Sequence, residues 1–317
     1  MTVSPATPLL NDMAIYVEVA KQRHFTRAAE ALGMPVSTVS RRIRLLEQEI
    51  GTALLKRSTR SVDMTEAGAL YYERCLEIVN QARLAHEQLL DMTQQVKGVL
   101  RVSMPSSLSV IFMPTILTRF AQKYPDIEFD LDLSVRPIDL LAENFDCTIR
   151  LGAQNSSNLV ARRLGDLQLG LYASSQYLNQ HGRPQDPREL TQHQCILASN
   201  QPEDTHWTLS NSKTNEVVTV EVRGSLRINN ALMMHKVAAC HAGIVISSQI
   251  ESLLEFHGIP LEPVLPDWAF EPYPIYALMP SRMLPLKTRV FLDYLQEALG
   301  QLLSGQVLPI PAVHSGY

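Results

Sequence analysis

The 317-residue sequence has little cysteine, four residues in all, and few aromatics, at 6%. Cys75, Cys147, Cys195 and Cys240 stand singly, with no Cys-x-x-Cys pair and no matching histidine spacing. That excludes a disulfide-framed secreted scaffold and a zinc site, and predicts reduced, buried thiols in a cytoplasmic protein. No apolar run approaches the ~18 residues that span a bilayer. Met1 to Leu10 lacks the basic-then-apolar order of a signal peptide, so none is expected. Catalytic signatures are missing as well: there is no G-x-G-x-x-G, P-loop, G-x-S-x-G or H-E-x-x-H. The nine histidines are scattered. His235 and His241, six apart, would sit about 240° from each other around a helix. Asp130 and Asp132 share one face of a strand and read as an exposed strand edge rather than a metal pair. The chain is expected to be no enzyme and to need no metal or cofactor.

Its length points to two or three domains, and 45% hydrophobic with 19% charged residues fits well-filled globular cores. The net charge of −4 argues against nucleic acid until it is resolved along the chain. Residues 1–63 carry nine Lys/Arg against six Asp/Glu, leaving 19 bases against 26 acids in the remainder. Within 35–61 there are six bases and only Glu47 and Glu49. A basic module joined to an acidic body is the electrostatic outline of a DNA reader with a separate sensing domain. A solvated charged helix would explain the charge equally well if the pattern around it did not agree.

That pattern is helical. Residues 12–22 place Met13, Val17 and Ala20 on one side, thickened by Ile15 and Val19. His24-Phe25 breaks the run, Thr26 is a natural N-cap for a short alanine-rich helix, and Gly33 ends it. Pro35 opens a third helix to about Ile50, with Val39, Ile43, Leu46 and Ile50 as its buried stripe. Ser37, Ser40, Arg41 and Arg44 fall elsewhere on that helix. Ala28 and Ala29 are small enough for two helices to cross closely, the spacing of a helix-turn-helix.

Phe25-Thr26-Arg27-Ala28-Ala29-Glu30-Ala31-Leu32-Gly33 and Val39-Ser40-Arg41-Arg42-Ile43-Arg44-Leu45-Leu46-Glu47 resemble the LysR-type transcriptional regulators. So do Leu54-Leu55-Lys56-Arg57-Ser58-Thr59-Arg60 and Met64-Thr65-Glu66-Ala67-Gly68. Where the family often has Ser-Gln early in its recognition helix, this chain has Pro35-Val36, so an amide that reads adenine is missing and Val36 offers only methyl contact. The resemblance implies a winged helix-turn-helix over 1–63. Val36, Ser37, Ser40 and Arg41 would then face base edges, with Arg41 bidentate on guanine. Thr26 is a further DNA-contact candidate. Arg44 would touch phosphate and Arg42 phosphate or nothing, while Arg57 and Arg60, on a wing spanning 54–63, would lie near phosphates or the minor groove.

From Thr65, a second natural N-cap, no Pro or Gly interrupts the stretch between Gly68 and Gly98. Tyr71, Cys75, Ile78, Ala82, Ala85, Leu89, Met92 and Val96 alternate at spacings of four and three, the seam of a two-helix coil. Unless its stripe serves the core of a single chain, a linker helix over 64–97 therefore predicts a homodimer whose two recognition helices address the half-sites of an interrupted palindrome. The resemblance adds further pairing into tetramers.

Past Val96-Lys97-Gly98, strands and helices alternate as in an open α/β sheet. Strands are expected at 99–104, 127–133, 147–151, 167–173, 195–198, 217–223, 243–247 and 274–279. Helices are expected at 111–123, 137–143, 231–241 and 287–299, with a loosely ordered tail over 306–317. Segments such as Tyr124-Pro125-Asp126, Asp146-Cys147-Thr148-Ile149-Arg150-Leu151-Gly152 and His241-Ala242-Gly243-Ile244-Val245-Ile246 again resemble the LysR-type family. The resemblance implies a two-lobed, periplasmic-binding-protein-like effector domain over 98–305. Lobe I would span about 98–166 and 270–305, and lobe II about 167–269. Ligands of such sheets sit beyond the carboxyl ends of strands, at helix N-termini. Ser106 and Ser107, at the start of the helix after the first strand, suit a carboxylate, unless they only cap it. Arg136, Arg150, Ser199, Asn229, Asn230 and Ile246 are placed across the cleft, with an Arg150–Asp146 pair as the structural alternative for Arg150. A small organic acid as effector, aromatic ones included, is what the family resemblance implies.

Overall fold

In a computed structural model of the chain, the structure describes residues 10–57, 62–91, 96–134, 136, 138–153, 159–198, 205–248 and 259–306. They form two compact units: one of residues up to 96 with 138–145 and 283–286, the other of the remainder.

The first unit opens with three helices, α1 (Leu10–Gln22), α2 (Phe25–Leu32) and α3 (Val36–Ile50). Val39, Ile43 and Leu46 are buried on α3 and close over Ile15, Tyr16, Val19 and Ala20 of α1 and Ala28 and Ala29 of α2. Ile50, expected in that stripe, is 36% exposed, because the helix outruns the core it covers and stops at Gly51. The cap of α2 is His24, whose Nδ1 accepts the Thr26 N–H at 3.2 Å, and not Thr26, which lies inside the helix. Gly33 turns the chain toward α3 at φ +61°, a conformation that costs side-chain-bearing residues a clash glycine avoids.

A two-stranded wing follows, β1 (Leu55–Arg57) antiparallel to β2 (Val62–Met64) with Leu55 opposite Met64. Glu47 of α3 fastens its base, one carboxylate oxygen accepting the Leu54 and Leu55 N–H groups at 2.9 and 3.0 Å. Helix α4 (Glu66–Asp91) starts where Thr65 Oγ1 accepts the Gly68 N–H. Gly68 is held against the wing: a Cβ there would lie 2.0 Å from the Leu54 carbonyl oxygen, and its own carbonyl accepts the Tyr16 hydroxyl.

The expected seam on α4 is divided. Cys75 is wholly buried and Tyr71 partly so, both in the core of this unit, whereas Ile78 is 46% exposed and Leu70, off the expected seam, 64%. The first turns of α4 are spent closing the helix-turn-helix, so the face left uncovered is shifted around the helix. Seam positions Leu89 and Met92 lie where side chains or residues are not described. Residues 140–144 are turns, not the expected helix: Asp139 Oδ1 takes the Leu141 and Ala142 N–H groups, and Phe145 N donates to Leu140 O.

The second unit holds two five-stranded sheets of matching plan. In lobe I the order is β4 (Ile127–Asp132), β3 (Gly98–Ser103), β5 (Cys147–Leu151), β15 (Tyr273–Met279), β6 (Val160–Leu167). In lobe II it is β11 (Arg223–Ile228), β8 (Gln194–Ala198), β12 (Ile244–Ser248), β7 (Leu169–Ser174), β13 (Leu261–Val264). In each sheet the first three strands pair in parallel and the last two pairings are antiparallel, so only β15 and β7 run against the rest and the carboxyl ends of the parallel strands open on one edge. A three-stranded sheet of β10 (Val217–Glu221), which falls within the strand expected over 217–223, with β9 (His206–Asn211) and β14 (Trp268–Ala269), both missed from sequence, caps lobe II over Trp207 and Trp268. Strand β14 has only two residues, below what periodicity detects.

Helix α5 (Ser106–Lys123) packs Leu108, Phe112, Met113, Ile116 and Phe120 into lobe I, running on through Pro114. Helix α8 (Leu286–Leu303), numbered after α6 (Ser175–His181) and α7 (Ala231–Ala239), meets it edge-to-face through Phe291, 5.5 Å from Phe120 between ring centroids. Lys287 at the start of α8, itself half-buried, pairs with the buried Asp146 carboxylate at 3.3 Å, and Asp146 also accepts the Arg101 N–H. The burial expected of all four thiols holds for Cys75, Cys147 and Cys195. Cys240, at the end of α7, is exposed. Among the described residues, no helix is long and apolar enough to cross a membrane.

Candidate nucleic-acid interface and effector site

With its stripe buried, α3 turns its other side outward. Val36 is 41% exposed, and Ser37, Arg41 and Arg44 are exposed, while Ser40 is half-buried. Ser37, Arg41 and Arg44 follow at spacings of four and three, so they share one face of a rigid helix about 22 Å long. Thr26 and Arg27, in the first turn of α2, are also exposed. Arg42 is not available: its Nε pairs with Asp12 of α1 at 2.8 Å, which locks α3 onto α1. Of the expected wing residues, Arg57 ends β1 and Arg60 lies outside the described residues. Leu45, 52% exposed between Arg41 and Gln48, escaped the sequence reading, since an apolar residue in a helix reads as core.

In the second unit, three elements meet at the carboxyl edge of the lobe I sheet. Strand β3 ends at Ser103, whose Oγ accepts from Arg150 Nη2 at 3.1 Å. Arg150 also donates to the carbonyls of Ile149 at 2.9 Å and Arg136 at 3.1 Å. It does not pair with Asp146, whose carboxylate is taken by Lys287 and the Arg101 N–H. Burial draws the Arg150 guanidinium below its ordinary pKa, with the neighbouring Arg136 adding to that and Asp132 opposing it. Arg136 is exposed and pairs with Asp132 at 3.6 Å.

Helix α5 begins here without a side-chain cap, behind Pro105. Ser106 Oγ accepts from Asn230 Nδ2 at 2.8 Å, which ties lobe I to lobe II. Asn230 serves both sides, because its Oδ1 caps α7 by accepting the Met233 N–H at 2.9 Å. The amide is thereby fixed in one orientation. The remaining expected residues divide. Asn229 is exposed beside Asn230, and Ser107 is only 7% exposed, turned into lobe I rather than outward. Ile246 packs against the Leu171–Trp207 core of lobe II, because inward alternation on a central strand claims it. Ser199 lies outside the described residues. Ser103, unnoticed in the sequence, and Asp132, read there only as part of an exposed strand edge, join the site because β3 and β4 are paired with Ser103 beside Asp132.

Two family descriptions match the chain: "Bacterial regulatory helix-turn-helix protein, lysR family" over residues 10–69, and "LysR substrate binding domain" over residues 93–300. A Xanthomonas campestris protein named as an HTH-type transcriptional regulator is 32% identical over 90% of this chain and 84% of its own length. The Escherichia coli HTH-type transcriptional activator AaeR is 30% identical, covering 91% of this chain and 93% of that one. The full-length structure of the Vibrio cholerae virulence activator AphB aligns at TM-score 0.57 and 30% identity over 90% of this chain and 98% of that one. The structure of CrgA from Neisseria meningitidis aligns at TM-score 0.57 and 29% identity over 95% and 100%. With its helix-turn-helix and two-lobed domain in that order, the chain belongs to the LysR family and is a DNA-binding transcriptional regulator with an effector-binding domain.

Proposed function

We propose that α3 enters the major groove of an operator, with Arg41 on guanine, Ser37 and Ser40 beside it, Val36 against a thymine methyl, and Thr26 and Arg44 on phosphate. The observation that carries this reading is the exposed ladder Ser37–Arg41–Arg44 opposite the buried stripe Val39–Ile43–Leu46 on one helix. The wing, with Arg57 and Arg60, flanks the same groove in this reading. The protein acts in the cytoplasm as a homodimer joined through α4, pairing further into a tetramer, and it reads an interrupted palindrome. A small organic carboxylate held between the lobes by Arg150, Ser106 and Asn230 shifts that binding.

The test is duplex binding across a salt series. A reader with several phosphate contacts loses affinity steeply with salt, and Arg41→Ala lowers specific affinity by about 1–3 kcal/mol with little change in the salt slope. Operator affinity unchanged in that variant removes the base-reading role of Arg41, and a flat salt response removes DNA as the ligand of α3.

A further inference from the structure

The effector reading names an anion but not its charge, and the geometry around Arg150 bears on that. Three ionised side chains converge beyond the carboxyl ends of β3 and β4. Arg150 reaches Ser103 Oγ and the Arg136 carbonyl, and Arg136 folds its guanidinium back to Asp132 Oδ2 at 3.6 Å. Asp132 is the register partner of Ser103, and its own carbonyl accepts the Met104 N–H at 2.9 Å, two residues before α5 begins. Its carboxylate is fixed from the other side, where Oδ1 accepts both the N–H and the hydroxyl of Ser134. Asp130, on the same strand, is engaged elsewhere by Arg101 at 3.0 Å.

We infer that Asp132 sets the charge class of the effector: by neutralising one of two guanidinium groups it leaves a site for a single carboxylate and repels a second. The inference rests on the proposed effector site. Two cations and one anion leave these three groups at +1. A monoanion cancels that charge, whereas a dianion brings its second carboxylate toward a carboxylate already held in place. Arg150 is the half-buried member, so its charge is the less screened of the two and the natural seat for the ligand. Arg136 and Asp132, 51% and 28% exposed, form the rim that discriminates.

The substitution that isolates this role is Asp132→Asn, since an amide oxygen still accepts from Ser134 and keeps the turn. Titration calorimetry of the full-length chain at neutral pH would compare two pairs of probes, benzoate with phthalate and butyrate with succinate. The wild type is expected to prefer the monoanion of at least one pair. Asp132→Asn is expected to shift the dianion-to-monoanion affinity ratio toward the dianion about tenfold. Adding Arg136→Gln to Asp132→Asn restores the charge and should restore the ratio, which a merely structural role for Asp132 would not produce. A ratio unmoved by Asp132→Asn, or wild-type protein that favours the dianions, overturns the inference while leaving the effector site standing. Wild-type protein that binds none of the four probes overturns the carboxylate reading, and this inference with it.

Discussion

At the scale of single residues, function rests on which polar groups the core has already claimed. Arg41, Arg42 and Arg44 are near neighbours of one type, yet Arg42 is committed to Asp12 and the other two face outward. A histidine shows the same logic in lobe II. His193 is buried with its Nδ1 3.2 Å from the Tyr177 hydroxyl, and that hydroxyl accepts the Gln194 N–H at 2.9 Å. Burial, and then the nearby His181, hold His193 below its ordinary pKa, with Glu189 acting weakly the other way. A base whose folded pKa is depressed takes up its proton more readily in the unfolded chain. Its stabilising contribution is therefore complete above the unfolded value near ~6.5 and is lost as pH falls through the lowered folded value. Urea midpoints measured from about pH 7.5 down to about 5 should decline, and His193→Gln should flatten the decline. An identical slope in that variant assigns the acid sensitivity to another group.

At the scale of elements, α4 shows how one helix divides its surface between two tasks. Its N-terminal turns seal the winged helix-turn-helix, with Cys75 buried and Gly68 pressed to the Leu54 carbonyl, and its outer side leaves Leu70 and Ile78 uncovered. Heptad spacing in the sequence was legible, but it could not say which members of the seam serve the chain's own core. Only the packing of Tyr71 and Cys75 against α1 decides that. Ile78→Glu is accordingly expected to weaken the dimer at least about tenfold by sedimentation. The melting temperature of the first unit should stay within about 1 °C, as for a surface change. If the variant sediments as the wild type does, the partner surface lies elsewhere on the chain.

At the scale of the whole molecule, the two compact units each have a separate core, which predicts two unfolding transitions in calorimetry. The buried Lys287–Asp146 pair fastens α8 to the lobe I sheet, with Lys287 also donating to the Val99 carbonyl. Lys287→Met removes the cation beside the buried Asp146 carboxylate, at a cost of about 3 kcal/mol for a broken, largely buried pair. The transition of the effector unit should fall by roughly 6–12 °C while that of the DNA-reading unit stays put. Both transitions moving together would mean that the units unfold cooperatively.

The family, the order of the domains, the turn at Gly33 and the outward face of α3 can be read from neighbouring residues, because these follow from local spacing: a 3.6-residue period, a glycine where φ is positive, alanines where helices cross. That spacing did not place Asp132 beside Ser103, turn Ser107 and Ile246 inward, or join Ser106 to Asn230 across 124 positions of chain. Those depend on which strands lie side by side and which edge of a sheet faces the other lobe. Pairing of that kind is set by the summed burial of both cores, a quantity that no stretch of neighbouring residues contains.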